Sequence, residues 1–131
     1  MKGELTAKKR IGNTGESIAR KFLEKRGFRI IAMNYRKPWG EIDIIGEKAG
    51  SIRFIEVKTV SRETLNDVTH EIGGYRPEEM VHEAKLRKIA RTAEMYMNEK
   101  GLDADFQIDV VCVFLGMRER RARCVLYEQV L

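Results

Sequence analysis

Apolar residues recur at helical spacing in two parts of the chain, which predicts two amphipathic helices. The first is indicated over residues 18–23, where apolar and charged positions alternate before a glycine. Asn13 and Glu16 stand three residues apart, as in a capping box, so this helix is predicted to begin at Asn13. The second is predicted to start near Pro77, a residue suited to a first helical turn, and to include the apolar repeat over residues 86–97.

Five further segments have the β-branched and aromatic composition that is typical of strands. They cover residues 28–35, 40–45, 52–60, 106–115 and 125–130. The predicted order is α-β-β-β-α-β-β, and the fold class is α/β, a mixed sheet flanked by helices. No internal repeat or linker interrupts this order, so we expect one domain over residues 1–131. Residues 61–77 are polar and contain a Gly-Gly pair, which predicts a long loop.

Composition limits the classes of protein to which the chain can belong. With 131 residues, 43% of them hydrophobic, it can bury one core without disulfides. Its two cysteines form no C-x-x-C pair, and no apolar run has the length of a membrane-spanning helix, so we expect a cytoplasmic protein with no membrane partner. Residues 1–37 carry 11 Lys and Arg against three Asp and Glu. This excess suits a polyanion such as nucleic acid, although a solvated basic face would have the same composition.

Two acids and a lysine come together in a predicted hairpin. A turn at residues 49–50 would place Asp43 opposite Glu56 and Glu41 opposite Lys58. Like charges at such positions destabilise a sheet, so Asp43 and Glu56 need a counter-charge, and Mg²⁺ binds through one or two carboxylates and waters. Lys58 shares a face with Glu56, where its ammonium can orient a nucleophile and stabilise developing charge. The alternative is an exposed hairpin face on which Glu41 and Lys58 form a weak surface pair.

The apolar residues of the same hairpin indicate which face is buried. Alternation with a period of two predicts that one buried face carries Ile42, Ile44, Ile55 and Val57. The acids would share the other face with two apolar residues, Ile45 and Phe54. A face that is both acidic and apolar is more typical of a site than of a solvated surface.

The acidic motif resembles the D-x(n)-E-x-K core of the PD-(D/E)xK nuclease superfamily. It consists of Asp43 and, thirteen positions later, Glu56 followed by Val57 and Lys58. Further motifs resemble the YraN-like family of predicted endonucleases, and they lie at residues 15–23, 34–36, 40–45, 54–58 and 109–111. That family is similar to archaeal Holliday-junction resolvases, which implies a restriction-endonuclease-like αβββαβ core. The family pattern also leads us to expect an arginine near Asp109, where this chain has Gln107.

The resemblance implies a role for each residue of the motif. Asp43, Glu56 and the Val57 carbonyl would bind Mg²⁺, or Mn²⁺, and Lys58 would be the catalytic lysine. Glu16 matches the first-helix glutamate that can complete such a site, and its alternative role is the helix cap described above. The expected activity is metal-dependent hydrolysis of DNA, including branched or repair intermediates. The alternative is a nucleic-acid-binding module that keeps the nuclease fold without turnover.

Several cations and one aromatic residue outside this motif are candidates for binding nucleic acid. They are Arg36, Lys37, Trp39, Lys85 and Lys88. An aromatic side chain among cations suits an unpaired base, although the commoner role of such a residue after Pro38 would be to cap the hydrophobic core. The two lysines of the second helix could follow a phosphate backbone or form its solvent face. A homodimer would bring two sites to a symmetric substrate, but the sequence does not decide the oligomeric state.

Overall fold

The computed structural model describes residues 6–65 and 81–131, and it contains seven elements in the predicted order. The helices are α1 (Ala7–Lys25) and α2 (Glu83–Glu99). The strands are β1 (Arg29–Lys37), β2 (Gly40–Lys48), β3 (Ser51–Arg62), β4 (Phe106–Gly116) and β5 (Arg121–Tyr127). The predicted α/β class is confirmed. The loop predicted over residues 61–77 is partly wrong, because residues 61 and 62 belong to β3, and its part from residue 66 onward lies outside the described residues.

Both helices begin at a different residue from the one predicted. The N-cap of α1 is Thr6, whose Oγ1 accepts a hydrogen bond from the Lys9 N–H at 3.1 Å. The predicted start at Asn13 is therefore wrong, and Glu16 lies inside the helix, where its carboxylate does not cap. α2 begins after His82, later than predicted, while Pro77 lies outside the described residues.

The five strands form one mixed sheet in the order β1-β2-β3-β4-β5. β3 and β4 are parallel, because the chain crosses over between them through α2, and the other neighbours are antiparallel. β2 and β3 are joined by a two-residue turn in which Ala49 and Gly50 have φ angles of 52° and 77°. The turn lies where it was predicted, but β2 and β3 extend up to it, so the strands predicted over residues 40–45 and 52–60 were too short.

Each face of the sheet is covered by one helix, which gives two apolar clusters. On the α2 side the cluster includes Ile42, Ile45, Phe54, Leu86, Ile89, Ile108 and Val110. On the α1 side it includes Ala19, Leu23, Ile44, Ile55, Val111 and Val113. Neither helix that the structure describes is long and apolar enough to cross a membrane.

The prediction that Ile42 and Ile44 share a face is wrong, because they belong to different clusters. The change of face occurs next to Asp43. On the neighbouring strand, Asn34 has a φ angle of 52°, and the β1–β2 ladder pairs the residues on either side of Asn34 and Asp43 but not these two. A left-handed residue breaks the regular pleat, so the period of two does not continue through this point.

α1 approaches the sheet closely at Gly15, which is buried. A Cβ atom at this position would overlap the Thr59 side chain on β3, with Thr59 Cγ2 at 2.8 Å and Thr59 Cβ at 2.9 Å. Only glycine allows the helix to lie at this distance. The contact therefore determines how far the next residue of the helix, Glu16, lies from β2 and β3.

Two substitutions in the same helix should have opposite effects on stability. Gly15→Ala should lower the free energy of unfolding by about 1–3 kcal/mol, because the new methyl group overpacks against Thr59. Gly12→Ala should raise it by up to about 1 kcal/mol, because nothing lies within 4 Å of the added Cβ and alanine favours the helix. Urea denaturation measures both values. Equal stabilities for the two variants would contradict the close approach.

Candidate active site

β2 and β3 separate at the point where their acidic residues lie. The last pair of their ladder is Ile44 with Ile55, which confirms the predicted register, since the next step would bring Asp43 opposite Glu56. Beyond this pair, the Val57 N–H donates a hydrogen bond to Asp43 Oδ2 at 2.8 Å. The carboxylate thus satisfies the backbone donor that the departing strand leaves. This bond fixes Asp43 between the two strands.

Glu16, Asp43 and Glu56 come from three different elements and interact with one another. The Glu56 side chain is only 12% exposed, and it is hydrogen-bonded to Asp43. Glu16 reaches Asp43 from α1 and is also hydrogen-bonded to Asn34, the residue in the left-handed conformation. The hairpin is therefore not an exposed charged face, and the alternative that Glu41 and Lys58 pair across the strands does not hold, because the ladder ends before them.

The surroundings of Glu56 favour its protonated form. Burial raises the pKa of Glu56 to about 8, and the hydrogen bond with Asp43 and the Asp43 charge act in the same direction, against the nearby Lys85 ammonium. Burial and the Asp43 charge also raise the pKa of Glu16, while the Asn34 amide and the Arg36 guanidinium lower it. The protonated form of the Glu56 carboxyl therefore persists to higher pH than that of an ordinary glutamate, which relieves the repulsion between the acids.

The same position suits a divalent cation, because a cation can replace the proton as counter-charge. Mg²⁺ takes one or two carboxylates and keeps several waters, so Asp43 and Glu56 are a sufficient donor pair. Within residues 6–65 and 81–131, no three Asp, Glu, His or Cys side chains are arranged to hold a metal together. The donor set therefore fits a hydrated Mg²⁺ and not a closed cage, and Glu16 is hydrogen-bonded to Asp43 of the donor pair.

Lys58 is exposed and lies between two cavities on either side of the acids. One cavity of about 220 Å³ is lined by Glu56 and Lys58 together with Val81, His82 and Lys85. The other, of about 520 Å³, is lined by Lys58 and Glu16 with residues of the first half of α1. The ammonium of Lys58 is thus positioned to contact a substrate that enters from either side of the sheet.

Two further residues belong to this site, although no sequence motif indicates them. They are His82, the N-cap of α2, and Lys85 of α2. Lys85 Nζ lies 3.9 Å from Glu56 Oε2, so a lysine predicted only as a phosphate contact lies at the acidic cluster itself. His82 lines the same cavity as Glu56 and Lys58. It has no histidine or cysteine partner at ligand spacing, so its position becomes evident only when α2 is placed on the sheet.

The remaining binding candidates divide between the two sides of the sheet. The Arg36 guanidinium lowers the pKa of Glu16, so Arg36 lies on the α1 side of the sheet. Lys37 forms an ion pair with Glu99 of α2 at 3.6 Å, so it lies on the α2 side. Lys37 also lines a cavity of about 180 Å³ with Lys85 and Lys88. The structure therefore brings Lys37, Lys85 and Lys88 together and separates Arg36 from them.

Asp109, from the last of the family motifs, has a different environment from the three acids. It is fully buried, and its Oδ2 accepts a hydrogen bond from Arg53 at 3.0 Å. Its Oδ1 accepts hydrogen bonds from the Gln107 side chain and from the Gln129 N–H. The arginine that we expected close to Asp109 in the sequence comes instead from β3, next to β4, so this buried acid already has its counter-charge.

Comparison with known proteins shows a match to one family model over most of the chain. Residues 15–113 match the model of the uncharacterised protein family UPF0102. A UPF0102 protein of Campylobacter jejuni is 42% identical over 102 residues, which cover 78% of this chain and 81% of the relative. A UPF0102 protein of Alkaliphilus metalliredigens is 38% identical over 86% of this chain and 91% of its own length. A UPF0102 protein of Moorella thermoacetica is 37% identical over 88% of this chain and 89% of its own length. The matched region includes Glu16, Asp43, Glu56 and Lys58.

The pKa of Glu56 predicts a pH dependence of stability that Glu56→Gln should remove. Because the folded state raises this pKa from the ordinary value of 4.5 to about 8, the folded protein retains a proton that the unfolded chain releases. Between these two values the contribution of Glu56 to stability falls as the pH rises, by at most about 1.4 kcal/mol per pH unit. The glutamine amide still donates to Asp43 and does not titrate.

In urea denaturation without divalent metal, the variant should therefore gain stability relative to the parent between about pH 5 and about pH 8. Glu24→Gln, which changes an exposed residue of α1, should leave the dependence of the parent unchanged. If the difference in the free energy of unfolding between the parent and Glu56→Gln stays constant over this pH range, Glu56 does not retain the proton.

Proposed function

Since the chain belongs to the uncharacterised protein family UPF0102, we propose its function from the geometry of its acidic site. The protein is a Mg²⁺-dependent nuclease that hydrolyses phosphodiester bonds of DNA. The observation that supports this proposal is the convergence of Asp43 and Glu56 where β2 leaves β3, with the exposed Lys58 beside them. The same three residues carry the resemblance to the PD-(D/E)xK superfamily and to archaeal Holliday-junction resolvases.

The site offers donors for a hydrated magnesium ion. Asp43 and Glu56 would hold the ion, together with the Val57 carbonyl that the resemblance implies. When bound, Mg²⁺ supplies Lewis acidity to a phosphoryl oxygen and lowers the pKa of water. Glu16 would act as a positioning residue, because it contacts Asp43 from α1. Mn²⁺ has the same preference for oxygen donors and would serve as a substitute.

Lys58 supplies a mobile positive charge next to the acids. Its ammonium can donate hydrogen bonds to a phosphoryl oxygen, and it can orient the attacking water, which places positive charge where negative charge develops in the transition state. Lys85 lies on the other side of Glu56 and compensates the charge of the carboxylate once its proton has left. Lys85 therefore lies next to Glu56, whereas Lys58 is the lysine proposed to contact the scissile phosphate.

Magnesium should stabilise the folded protein through the two carboxylates. A ligand that binds only the folded state raises the free energy of unfolding by about 2.7 kcal/mol at a free concentration of about 100 times its Kd. Asp43→Asn should lose this effect while keeping its fold, because the amide oxygen can still accept the hydrogen bond from Val57. Urea denaturation with and without Mg²⁺ measures the effect. Equal stabilisation of the variant and the parent would place the ion elsewhere.

Cleavage should depend on the same residues. On a panel of single-stranded, duplex, flap and junction DNA with Mg²⁺ or Mn²⁺, Lys58→Ala should reduce the rate roughly 100- to 1000-fold, the loss typical of a removed transition-state donor. Its thermal stability should remain that of the parent, because the side chain is exposed. Lys21→Ala, an exposed lysine on α1, serves as the matched control and should cleave as the parent does.

The second candidate is a DNA-binding module without turnover, and one observation favours it. Without metal, the proton on Glu56 and the hydrogen bond from Val57 already satisfy the two carboxylates. In that case Asp43→Asn should bind DNA as the parent does, neither protein should cleave any member of the panel, and binding should fall with rising salt. Cleavage by the parent that EDTA stops would eliminate this candidate.

A further inference from the structure

Trp39 follows β1 in the short turn to β2, and its side chain is 40% exposed. It is not among the residues that pack against the described apolar clusters, so it does not cap the hydrophobic core, which was the alternative expected from the preceding proline. The Lys37 ammonium lies 5.9 Å from the centre of the indole ring, and the same ammonium pairs with Glu99 at 3.6 Å. The ring is thus held beside a cation at the surface, where a flat ligand can reach it.

A groove lined by cations runs next to this tryptophan, between the β1–β2 turn and α2. Its cavity of about 180 Å³ is lined by three lysines, Lys37, Lys85 and Lys88, against one acid, Glu41. The helix lies close to the turn because Gly40 has no side chain, and a Cβ atom there would overlap Thr92 Oγ1. The charge of the groove suits a phosphate, and its floor is formed by ordered elements of the fold.

The groove adjoins the acidic site at Lys85. This residue lines the cavity of the groove and also the cavity that contains Glu56 and Lys58. A chain of phosphates that passes the acidic cluster can therefore continue along Lys85 and Lys88 and end at the indole ring. This spatial order of side chains, with cations first and an aromatic ring at the end, matches a phosphate backbone with an exposed base at one end.

We propose that this groove binds a single-stranded DNA segment next to the scissile phosphate, with its phosphates on Lys85 and Lys88 and an unpaired base stacked on Trp39. The proposal rests on the proposed function and makes it more specific, because it restricts the substrate to DNA with unpaired nucleotides. In a duplex the base faces are covered by their neighbours, so an indole ring has no face to stack on.

The cations beside the ring favour DNA over an apolar protein partner. Trp39 and Met95 are both exposed, and together with Asn98 and Glu99 they line a shallow cavity of about 390 Å³. The apolar part of this surface consists of these two side chains, whereas the adjoining groove has an excess of positive charge. An aromatic ring next to a cationic groove is typical of single-stranded nucleic-acid binding.

The test uses the fact that Trp39 is the single tryptophan of the chain. We would titrate the full-length protein in metal-free buffer with a thymidine oligonucleotide and with a duplex, and record tryptophan fluorescence. Stacking should quench the fluorescence as the single strand binds, while the duplex should leave it nearly unchanged. Fluorescence anisotropy of labelled DNA would provide the binding curves independently of the tryptophan signal.

The variants separate stacking from charge. Trp39→Ala should weaken single-strand binding roughly 5- to 150-fold, Trp39→Phe should retain most of it, and duplex binding should change less than about twofold in either. Met117→Ala is the matched control, because it changes an exposed apolar residue that lines neither cavity, and it should bind as the parent does. Lys88→Ala should weaken the binding of both the single strand and the duplex, and it should reduce the salt dependence of that binding. Thermal melting would verify that each variant is folded.

Two results would overturn the proposal, namely no quenching when anisotropy shows saturation by the single strand, or equal losses for single strand and duplex in Trp39→Ala. Either would mean that the ring contacts no unpaired base, as expected if it served a protein partner. The outcome is independent of the cleavage assay. Quenching without cleavage of any substrate would refute the proposed nuclease activity and retain the stacking site. Cleavage without quenching would retain the nuclease activity and refute the stacking site.

Discussion

The hydrogen bond from the Val57 N–H to Asp43 Oδ2 holds the site together, because it joins β2 and β3 where their backbone ladder has ended. A side chain here replaces a strand as the hydrogen-bond partner of the backbone. This has two consequences. The cleft between the strands opens without leaving a buried donor unsatisfied, and the carboxylate that spans the gap is fixed next to Glu56, whose pKa it raises.

Among the described residues, the sheet carries one fully buried acid, Asp109, and a pair of half-buried acids, Asp43 and Glu56, and the two differ in how their charge is compensated. Asp109 is fully buried, but it is paired with Arg53, which also contacts Glu128, so its charge is compensated within the fold. Asp43 and Glu56 have mainly each other and Glu16 as neighbours, with Lys85 at 3.9 Å as a partial compensation. Acids that repel one another reduce stability, so such an arrangement is typical of a functional position.

The position of Glu16 depends on packing and not on local sequence. A capping box is a local pattern, and here the helix simply continues through it, starting at Thr6. The carboxylate is then free to point at the sheet, and the absence of a side chain on Gly15 allows the helix to approach β3 closely enough for contact with Asp43. Glu16, whose alternative role was the helix cap, is thus connected to the site by the close helix-to-sheet packing that Gly15 permits.

The sequence by itself determined the element order, the turn at Ala49 and Gly50, and the register that brings Asp43 opposite Glu56, because these depend on local periodicity and on turn residues. Its motifs also identified the YraN-like family, which is the uncharacterised family UPF0102 to which the chain belongs. Only the tertiary structure decided what lies around these residues. It placed Lys85 against Glu56, exposed Trp39 beside a cationic groove and put Ile42 and Ile44 on different faces. These features arise from contacts between elements distant in sequence, and periodicity along one strand carries no information about which helix covers it.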